Sequence, residues 1–168
     1  MEAAGLRLRL DFPSMAVAVN DCRHKNAVTH LDPILKPVRS EADLQAWASL
    51  IALGWWNGGE GHTQRLMEAM RSFLSGDGST SLWLAEVNGA PVATGMLHIS
   101  GDVAGVYLIF VNEAHRNHGL GGYMTAQMVK LGEQRDCRRA ILQATAQGEP
   151  VYRRLGFAEV YRIRLYCL

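Results

Sequence analysis

The spacing of apolar residues predicts two amphipathic helices in the first half of the chain. Ser40, with Asp43 three residues later, is typical of a helix N-cap, and apolar residues follow at helical spacing. We expect Gly54 to end this helix. A second helix is predicted from about Thr63 to Leu74. The segment between them reads as a flexible loop that carries two adjacent tryptophans.

Beyond residue 80 the period shortens and strands are predicted. Asn88 and Gly89 give the two-residue signal of a tight hairpin. The predicted elements are strands at 81–87, 90–99 and 103–111, a helix at 119–134, a strand at 139–145, a short helix at 149–155 and a strand at 157–167. The strand at 103–111 is largely apolar and is therefore expected to be central. Together these elements indicate a mixed α+β sheet.

The first 35 residues are predicted to be an N-terminal appendage, and residues 36–168 to be the folded domain. Leu6–Leu10 alternates apolar and basic residues like a strand, whereas residues 20–37 read as a loop or linker. The strand could add to a sheet edge or to a homodimer contact. Because the appendage carries no motif, we expect it to be dispensable for cofactor binding.

Composition excludes several classes of protein. With 168 residues, 48% hydrophobic and 20% charged, the chain is expected to be one globular domain. Its apolar runs are too short for a transmembrane helix or a secretory signal, which predicts a cytoplasmic protein without membrane contact. Three widely spaced cysteines indicate neither a disulfide framework nor a metal site.

The charge is unevenly distributed along the chain. Residues 1–115 carry a net charge of −4 and residues 116–168 a net charge of +5, within a total of +1. The basic residues are spaced rather than clustered, which argues against nucleic-acid binding. The last third of the chain is therefore the place to look for a small anionic ligand.

A glycine-rich stretch joins the predicted central strand to the next helix. Backbone amides at a helix N-terminus attract anions, and Gly119, Gly121 and Gly122 leave that backbone uncovered. Arg116 and His118 add side-chain donors. The stretch lacks the Gly-Lys-Ser/Thr of a Walker A loop, and Met124 stands where a dinucleotide fingerprint needs its third glycine. It therefore predicts a phosphate or pyrophosphate site of another kind.

Two motifs in this order resemble the GNAT acyltransferase superfamily. Arg116-x-x-Gly119-x-Gly121 is similar to its acetyl-CoA pyrophosphate motif, and Tyr152 followed by Leu155-Gly156-Phe157 is similar to its tyrosine-bearing helix and the turn after it. The resemblance covers roughly residues 36–168. It implies a twisted, mostly antiparallel sheet of about six to seven strands flanked by about four helices, with a splayed parallel strand pair holding the cofactor.

The resemblance also implies an activity and a site. The expected activity is transfer of an acetyl group from acetyl-CoA to a primary amine of a small molecule or a protein, by direct attack in a ternary complex and without a metal. Tyr152 is implied as the general acid. The residues implied in cofactor binding are Phe110, Val111, Arg116, Asn117, His118, Gly119, Leu120, Gly121, Gly122 and Thr145.

The sequence departs from the family pattern at three places. Thr145 stands where many members have asparagine, Glu113 where a proline is frequent, and the strand Gly105–Val111 lacks the carboxylate that serves some members as general base. The candidates left for deprotonating the amine are a water molecule or one of His98, Glu86 and Glu60.

Other hypotheses stay open at this point. Trp55 and Trp56 could line the acceptor pocket or simply anchor their loop. The arginines that could meet the 3′-phosphate of CoA are Arg138, Arg139, Arg153 and Arg154. The competing functions are a non-catalytic acyl-CoA sensor or regulatory domain and, more remotely, a nucleotide-binding domain.

Overall fold

The computed structural model describes residues 7–75 and 78–167. The strands are β1 (Arg7–Ala18), β2 (Ile34–Pro37), β3 (Thr80–Val87), β4 (Ala90–Ser100), β5 (Val103–Val111), β6 (Arg139–Gln143) and β7 (Ala158–Cys167). The helices are α1 (Glu41–Trp56), α2 (Glu60–Met70), α3 (Leu120–Glu133) and α4 (Glu149–Arg154). Short 3-10 turns lie between several of these elements.

The strands form one seven-stranded sheet in the order β2-β3-β4-β5-β6-β1-β7. Neighbouring strands run antiparallel except β5 and β6, which are parallel. The predicted α+β fold with a mostly antiparallel sheet is confirmed, and the apolar strand β5 is central as expected. At the hairpin between β3 and β4, Asn88 and Gly89 both take positive φ angles, as that tight turn requires.

The parallel strands β5 and β6 separate soon after they begin. Their pairing ends at Gly105 opposite Ile141. On its other side β5 bulges against β4, where Leu108 has a φ of 51° and its carbonyl accepts a hydrogen bond from Thr94 at 2.8 Å. The bulge turns the end of β5 away from β6. A gap therefore opens in the sheet, and the carboxyl end of β5 leads into it.

Helices cover both faces of the sheet. Met124, Met128 and Val129 of α3 belong to a cluster buried against one face. Leu44 and Trp47 of α1 belong to a second cluster on the other face, joined by side chains of α2. No helix within the described residues is both long enough and apolar enough to cross a bilayer.

The first helix does not end at Gly54 as predicted. It continues through Trp56 and ends at Asn57, which takes the left-handed conformation with a φ of 55°. Gly54 lies inside α1, where a β-carbon would overlap the ring of Phe110. This glycine therefore reflects a long-range contact and not a helix stop, and the tryptophans after it belong to the last turn of α1.

The predicted appendage contributes an interior strand. Leu6 lies outside the described residues, but β1 begins at the next residue and pairs with β6 on one side and with β7 on the other. Its second half, which includes Met15 and Val17, is buried beneath α3. The sequence pattern marked only the exposed first half of the strand. The domain boundary near residue 36 remains a prediction. Strand β1 precedes that boundary, yet it belongs to the same sheet as the strands that follow it.

Candidate active site

The glycine-rich stretch of residues 116–122, here called the cradle, joins β5 to α3. Asn112 accepts a hydrogen bond from the amide of Ala114 and so starts a short 3-10 turn after β5. Asn117 and Gly119 then take positive φ angles of 64° and 83°, which turn the chain into α3. Left-handed backbone of this kind turns successive amides towards a common centre.

The cradle amides are available to a ligand. Within residues 7–75 and 78–167, the amides of Asn117 through Gly122 donate to no protein acceptor. The N-cap residue of α3 is Gly119, which makes no side-chain hydrogen bond to the helix. Unpaired amides at the start of a helix, together with its dipole, form a binding site for an anion. The cradle therefore offers a set of backbone donors that an anion could bind.

The side chain of Arg116 binds the backbone at the end of β5. Its Nε donates to the carbonyl of Val111 at 3.2 Å, and its guanidinium carbon lies 5.8 Å from the centre of the Phe110 ring. One of the donors that the sequence suggested for a phosphate is thus engaged in holding the end of β5. The same hydrogen bond occupies one acceptor position of the Val111 carbonyl.

A cavity of about 600 Å³ opens in front of the cradle. It is lined by every residue predicted for cofactor binding and by Tyr152: Phe110, Val111, Arg116, Asn117, His118, Gly119, Leu120, Gly121, Gly122 and Thr145. The cavity follows the end of β5, crosses the cradle and reaches α4. The structure therefore gathers residues from two separate motifs around one space.

Several lining residues carried no signal in the sequence. Asn26, Val28 and His30 come from the loop between β1 and β2, within the segment that was expected to be dispensable for cofactor binding. His115 also lines the cavity, and its Nδ1 is enclosed without a hydrogen-bond partner among the described residues. A loop without a motif reaches the site only through its long-range folding, so its spacing could not have indicated it.

Tyr152 lies on α4 at the cavity wall. Its ring packs over Gly148, where a β-carbon would come within 2.8 Å of it, and lies 6.2 Å from the ring of Phe157. Burial raises the pKa of Tyr152 to about 12, because a phenolate would lose its hydration there. The hydroxyl is therefore a permanently protonated donor at neutral pH.

The three candidate bases lie outside the cavity. His98 Nδ1 is hydrogen-bonded to Thr80 at 2.8 Å, on the paired part of β4. Glu86 is 3.2 Å from Lys36 in an ion pair, and Glu60 is the exposed first residue of α2. None of the three lines the space in front of the cradle.

The four arginines suggested for the 3′-phosphate of CoA differ in their positions relative to the cavity. Arg154 lines the cavity. Arg153 pairs with Glu149 at 2.7 Å, and Arg138 lies 3.9 Å from Asp102. Arg139 lies on β6 and is exposed. Only Arg154 among them lies beside the site.

Two exposed tryptophans form an aromatic group at the end of α1. Trp55 is 61% exposed and Trp56 is 44% exposed, and their rings are 5.8 Å apart. Trp56 stacks on His62 of α2 at 5.0 Å with nearly parallel planes. The contact of Gly54 with Phe110 joins the base of this aromatic group to the wall of the cavity.

Comparisons with known proteins agree with this arrangement. Residues 47–157 match the model of the acetyltransferase (GNAT) family, and no curated protein sequence matches the chain. A functionally unknown conserved protein from Staphylococcus epidermidis shares 15% identity over 96% of this chain, with a TM-score of 0.73. A GCN5-related N-acetyltransferase from Kribbella flavida shares 18% over 96%, with a TM-score of 0.69. The chain spans only 62% and 59% of the lengths of these two proteins.

A third solved structure is that of AAC(6')-Iy in complex with the bisubstrate analogue CoA-S-monomethyl-acetylneamine. It shares 18% identity over 81% of this chain and 97% of its own, with a TM-score of 0.69. At identities of 15% to 18%, these similarities show the fold alone.

Proposed function

This chain belongs to the acetyltransferase (GNAT) family, and on that premise we propose that it transfers an acetyl group from acetyl-CoA to a primary amine of a small molecule or a protein. The observation that carries the proposal is the run of unpaired amides from Asn117 to Gly122, open to a cavity that also holds Tyr152.

The residues present fit acetyl-CoA. Its pyrophosphate needs several converging donors without intervening side chains, which is what the cradle offers. The cavity volume of about 600 Å³ falls within the usual range of small-molecule sites. The enclosed Nδ1 of His115 is a further polar atom that a ligand in this cavity could satisfy.

The gap between β5 and β6 suits the extended arm of the cofactor. Because pairing between these strands ends at Gly105, backbone groups near Phe110 and Val111 face an open space. An extended, amide-bearing chain can hydrogen-bond there as an added strand would. Thr145, on the opposite side of the gap, offers a hydroxyl that already accepts a hydrogen bond from the amide of Gly148 at 3.1 Å.

Tyr152 is proposed to assist departure of the sulfur. When bound, acetyl-CoA would supply the acetyl group as a thioester, and CoA would be released as the thiol. A phenol with a pKa of about 12 is a weaker acid than an ordinary thiol, whose pKa is ~8.5, so complete proton transfer from free Tyr152 is uphill. The O–H would therefore act as a hydrogen-bond donor to the developing thiolate, and the released thiolate would take up its proton from solvent.

Deprotonation of the amine is assigned to water. The amine must lose a proton before or during attack on the acetyl carbon, and none of His98, Glu86 and Glu60 lines the cavity. A water molecule at the cavity mouth can pass the proton to solvent. The rate should then follow the fraction of neutral amine and not the titration of one protein group.

The aromatic group of Trp55, Trp56 and His62 is proposed to face the acceptor. It directly follows Gly54, whose α-carbon contacts the ring of Phe110 in the cavity wall. Exposed indole rings favour acceptors with a flat or cationic portion, through stacking and cation–π contacts. Amino sugars and other amine-bearing rings are therefore included among the acceptors to be tested.

One observation favours a second candidate, a non-catalytic acyl-CoA sensor. The cofactor side of the site is well formed, whereas within residues 7–75 and 78–167 the bases that line the cavity beside Tyr152 are limited to histidines of the cradle and of the loops around it. Such a domain would bind acetyl-CoA without turning it over.

The experiment measures binding and turnover separately. Calorimetric titration with acetyl-CoA, ATP and NAD tests the cofactor, and thiol release with a panel of amines, including neamine and a lysine peptide, tests transfer. Acetyl-CoA binding with amine-dependent thiol release supports the enzyme. Binding without release from any amine supports the sensor, and preference for ATP or NAD contradicts both.

A further inference from the structure

The loop between β1 and β2 crosses the cofactor cavity. Residues 23–33 of this loop, here called the strap, are held at one end by α4 and the turn after it. The amide of Arg23 donates to the carbonyl of Leu155 at 2.9 Å, and the side chain of Asn26 donates to the carbonyl of Arg154 at 2.7 Å. This end of the strap is therefore tied to the element that carries Tyr152.

The other end of the strap is held by α3. The hydroxyl of Tyr123 donates to the carbonyl of Pro33 at 3.2 Å. Leu31 packs in a small apolar cluster with the buried Leu120 at the start of the same helix. The strap thus joins two elements that border the cavity, and it is fixed on both sides of it.

Between these anchors the strap passes directly over the cradle. The carbonyl of Val28 lies so near Gly119 that a β-carbon on the glycine would overlap it. Ala27 lies farther from Gly122, where an added β-carbon would stand 3.9 Å from its α-carbon, an ordinary van der Waals distance. The absence of a side chain on Gly119 therefore admits the strap.

The strap closes the cradle without occupying its donors. The carbonyl of Val28 approaches the α-carbon of Gly119, but it accepts no hydrogen bond from the amides of residues 117–122. The cavity of about 600 Å³ remains, with Asn26, Val28 and His30 among its lining residues. The strap therefore borders the cavity and does not fill it.

We propose that the strap is the outer wall of the acetyl-CoA site, in which His30 contacts the phosphate-bearing part of the cofactor and Asn26 positions the strap. This inference rests on the proposed function and adds to it a second binding surface opposite the cradle. The cradle provides backbone donors from one side, and His30 provides a side-chain donor from the other. A ligand held from both sides is released only when the strap moves aside.

The test compares two histidines of the strap in the full chain. His30 lines the cofactor cavity, whereas His24 lies on a separate hollow beside Tyr123 and Lys130. Calorimetry with CoA gives the affinity, and stopped-flow displacement gives the dissociation rate. We expect His30→Ala to weaken CoA binding ~10-fold, the usual effect of losing a hydrogen bond to a charged group, and His24→Ala to leave it unchanged.

The positioning role of Asn26 is tested by kinetics. Asn26→Ala frees the strap from the carbonyl of Arg154, so it should speed CoA release and raise KM for acetyl-CoA more than it lowers kcat. Thermal unfolding of each variant monitors the fold. Asn26→Gln, which keeps an amide donor, should recover part of the lost affinity.

The outcomes separate this inference from the function on which it rests. If wild type binds CoA and His30→Ala binds it equally well, the strap is not part of the site, while the proposed function stands. Tighter CoA binding by Asn26→Ala would show that the strap obstructs the site, and it would contradict the proposal that the strap forms the outer wall. If wild type binds no CoA, the proposed function fails, and the inference fails with it.

Discussion

Lys36 holds Asp43 at a distance of 2.8 Å between its Nζ and a carboxylate oxygen, and so ties β2 to the first turn of α1. The same ammonium group lies 3.2 Å from Glu86 on β3. Asp43 also accepts a hydrogen bond from the amide of Ser40, so the predicted N-cap at Ser40 is part of a complete capping box. One carboxylate therefore serves the start of the helix and the edge of the sheet.

This relationship predicts a stability that depends on acid pH. The hydrogen bond from Lys36 is the main reason that the pKa of Asp43 falls from 3.8 to about 2. A carboxyl whose pKa is lower in the folded state stabilises the fold above its unfolded pKa and loses that contribution as pH falls from about 4 towards 2.

Asp43→Asn, which keeps an oxygen acceptor but removes the charge, should lower the free energy of unfolding by about 1 kcal/mol at pH 7. The difference from wild type should disappear near pH 2. Urea denaturation at several pH values measures it, with Glu41→Gln as the control, since the pair of Glu41 with Arg71 is about half exposed on both sides. A deficit that persists unchanged at pH 2 would show that charge is not its cause.

Deletion of the N-terminal segment tests where the domain begins. Removing residues 1–35 takes away β1, which lies between β6 and β7, and exposes the edges of both. It also removes the buried Met15 and Val17. We expect the truncated protein to aggregate or to lack a cooperative unfolding transition, whereas a chain beginning at Arg7 keeps β1 whole and should fold. A soluble, cooperative truncation that binds acetyl-CoA would restore the boundary near residue 36.

The parts of this protein that the sequence predicted are those with local causes. The hairpin at Asn88 and Gly89, the cap at Ser40 and the glycines of the cradle each follow from the conformation of a few neighbouring residues. The motif resemblance then implied the type of sheet and the residues expected at the site. For this reason most of the cavity lining could be named before the structure was known.

The parts that were missed depend on contacts distant in sequence. Gly54 has the local appearance of a helix stop, yet its reason is the ring of Phe110 more than fifty residues later. Asn26 reaches the site only because it donates to Arg154 across the fold. No periodicity within the loop itself records such a contact. The strap and the interior position of β1 are therefore structural findings.

Gly121 is predicted to be essential for binding the donor. It is the second residue of α3, and a β-carbon there would meet only Val111 at 3.9 Å, so the protein itself has room for a side chain. Gly121→Val should therefore fold, but its branched side chain should keep a pyrophosphate from the cradle amides. We expect at least a ~10-fold loss of affinity, since several charge-assisted hydrogen bonds are affected together.

Gly61→Val is the matched control for this variant. Gly61 is likewise the second residue of a helix, α2, and has open space around its α-carbon. It lies away from the cavity. Calorimetry with acetyl-CoA compares the two, and thermal unfolding confirms that both are folded. Equal affinities would mean that the cofactor does not use the cradle.

Tyr152→Phe tests the role of the phenol in transfer. The substitution keeps the ring that packs over Gly148 and beside Phe157, and removes only the O–H. Loss of one donor to developing negative charge in a partly enclosed site typically lowers the rate by ~10²-fold or more. We therefore expect kcat to fall by about that factor, while the affinity for acetyl-CoA changes little. Tyr107→Phe is the control, since the ring of Tyr107 packs over Gly105 and does not line the cavity.

The pH profile adds a second test of the same residue. Because burial raises the pKa of Tyr152 to about 12, its hydroxyl stays protonated throughout the range in which acceptor amines become neutral. Wild-type activity should rise with pH as the amine loses its proton, and it should not decline below about pH 10 through ionisation of this phenol. Rates of wild type and Tyr152→Phe between pH 6 and 10, measured under conditions where chemistry limits turnover, should therefore differ by a constant factor. Equal rates would mean that Tyr152 serves only in packing. A decline in the wild-type rate alone at alkaline pH would show that the Tyr152 hydroxyl loses its proton far more easily than its burial implies.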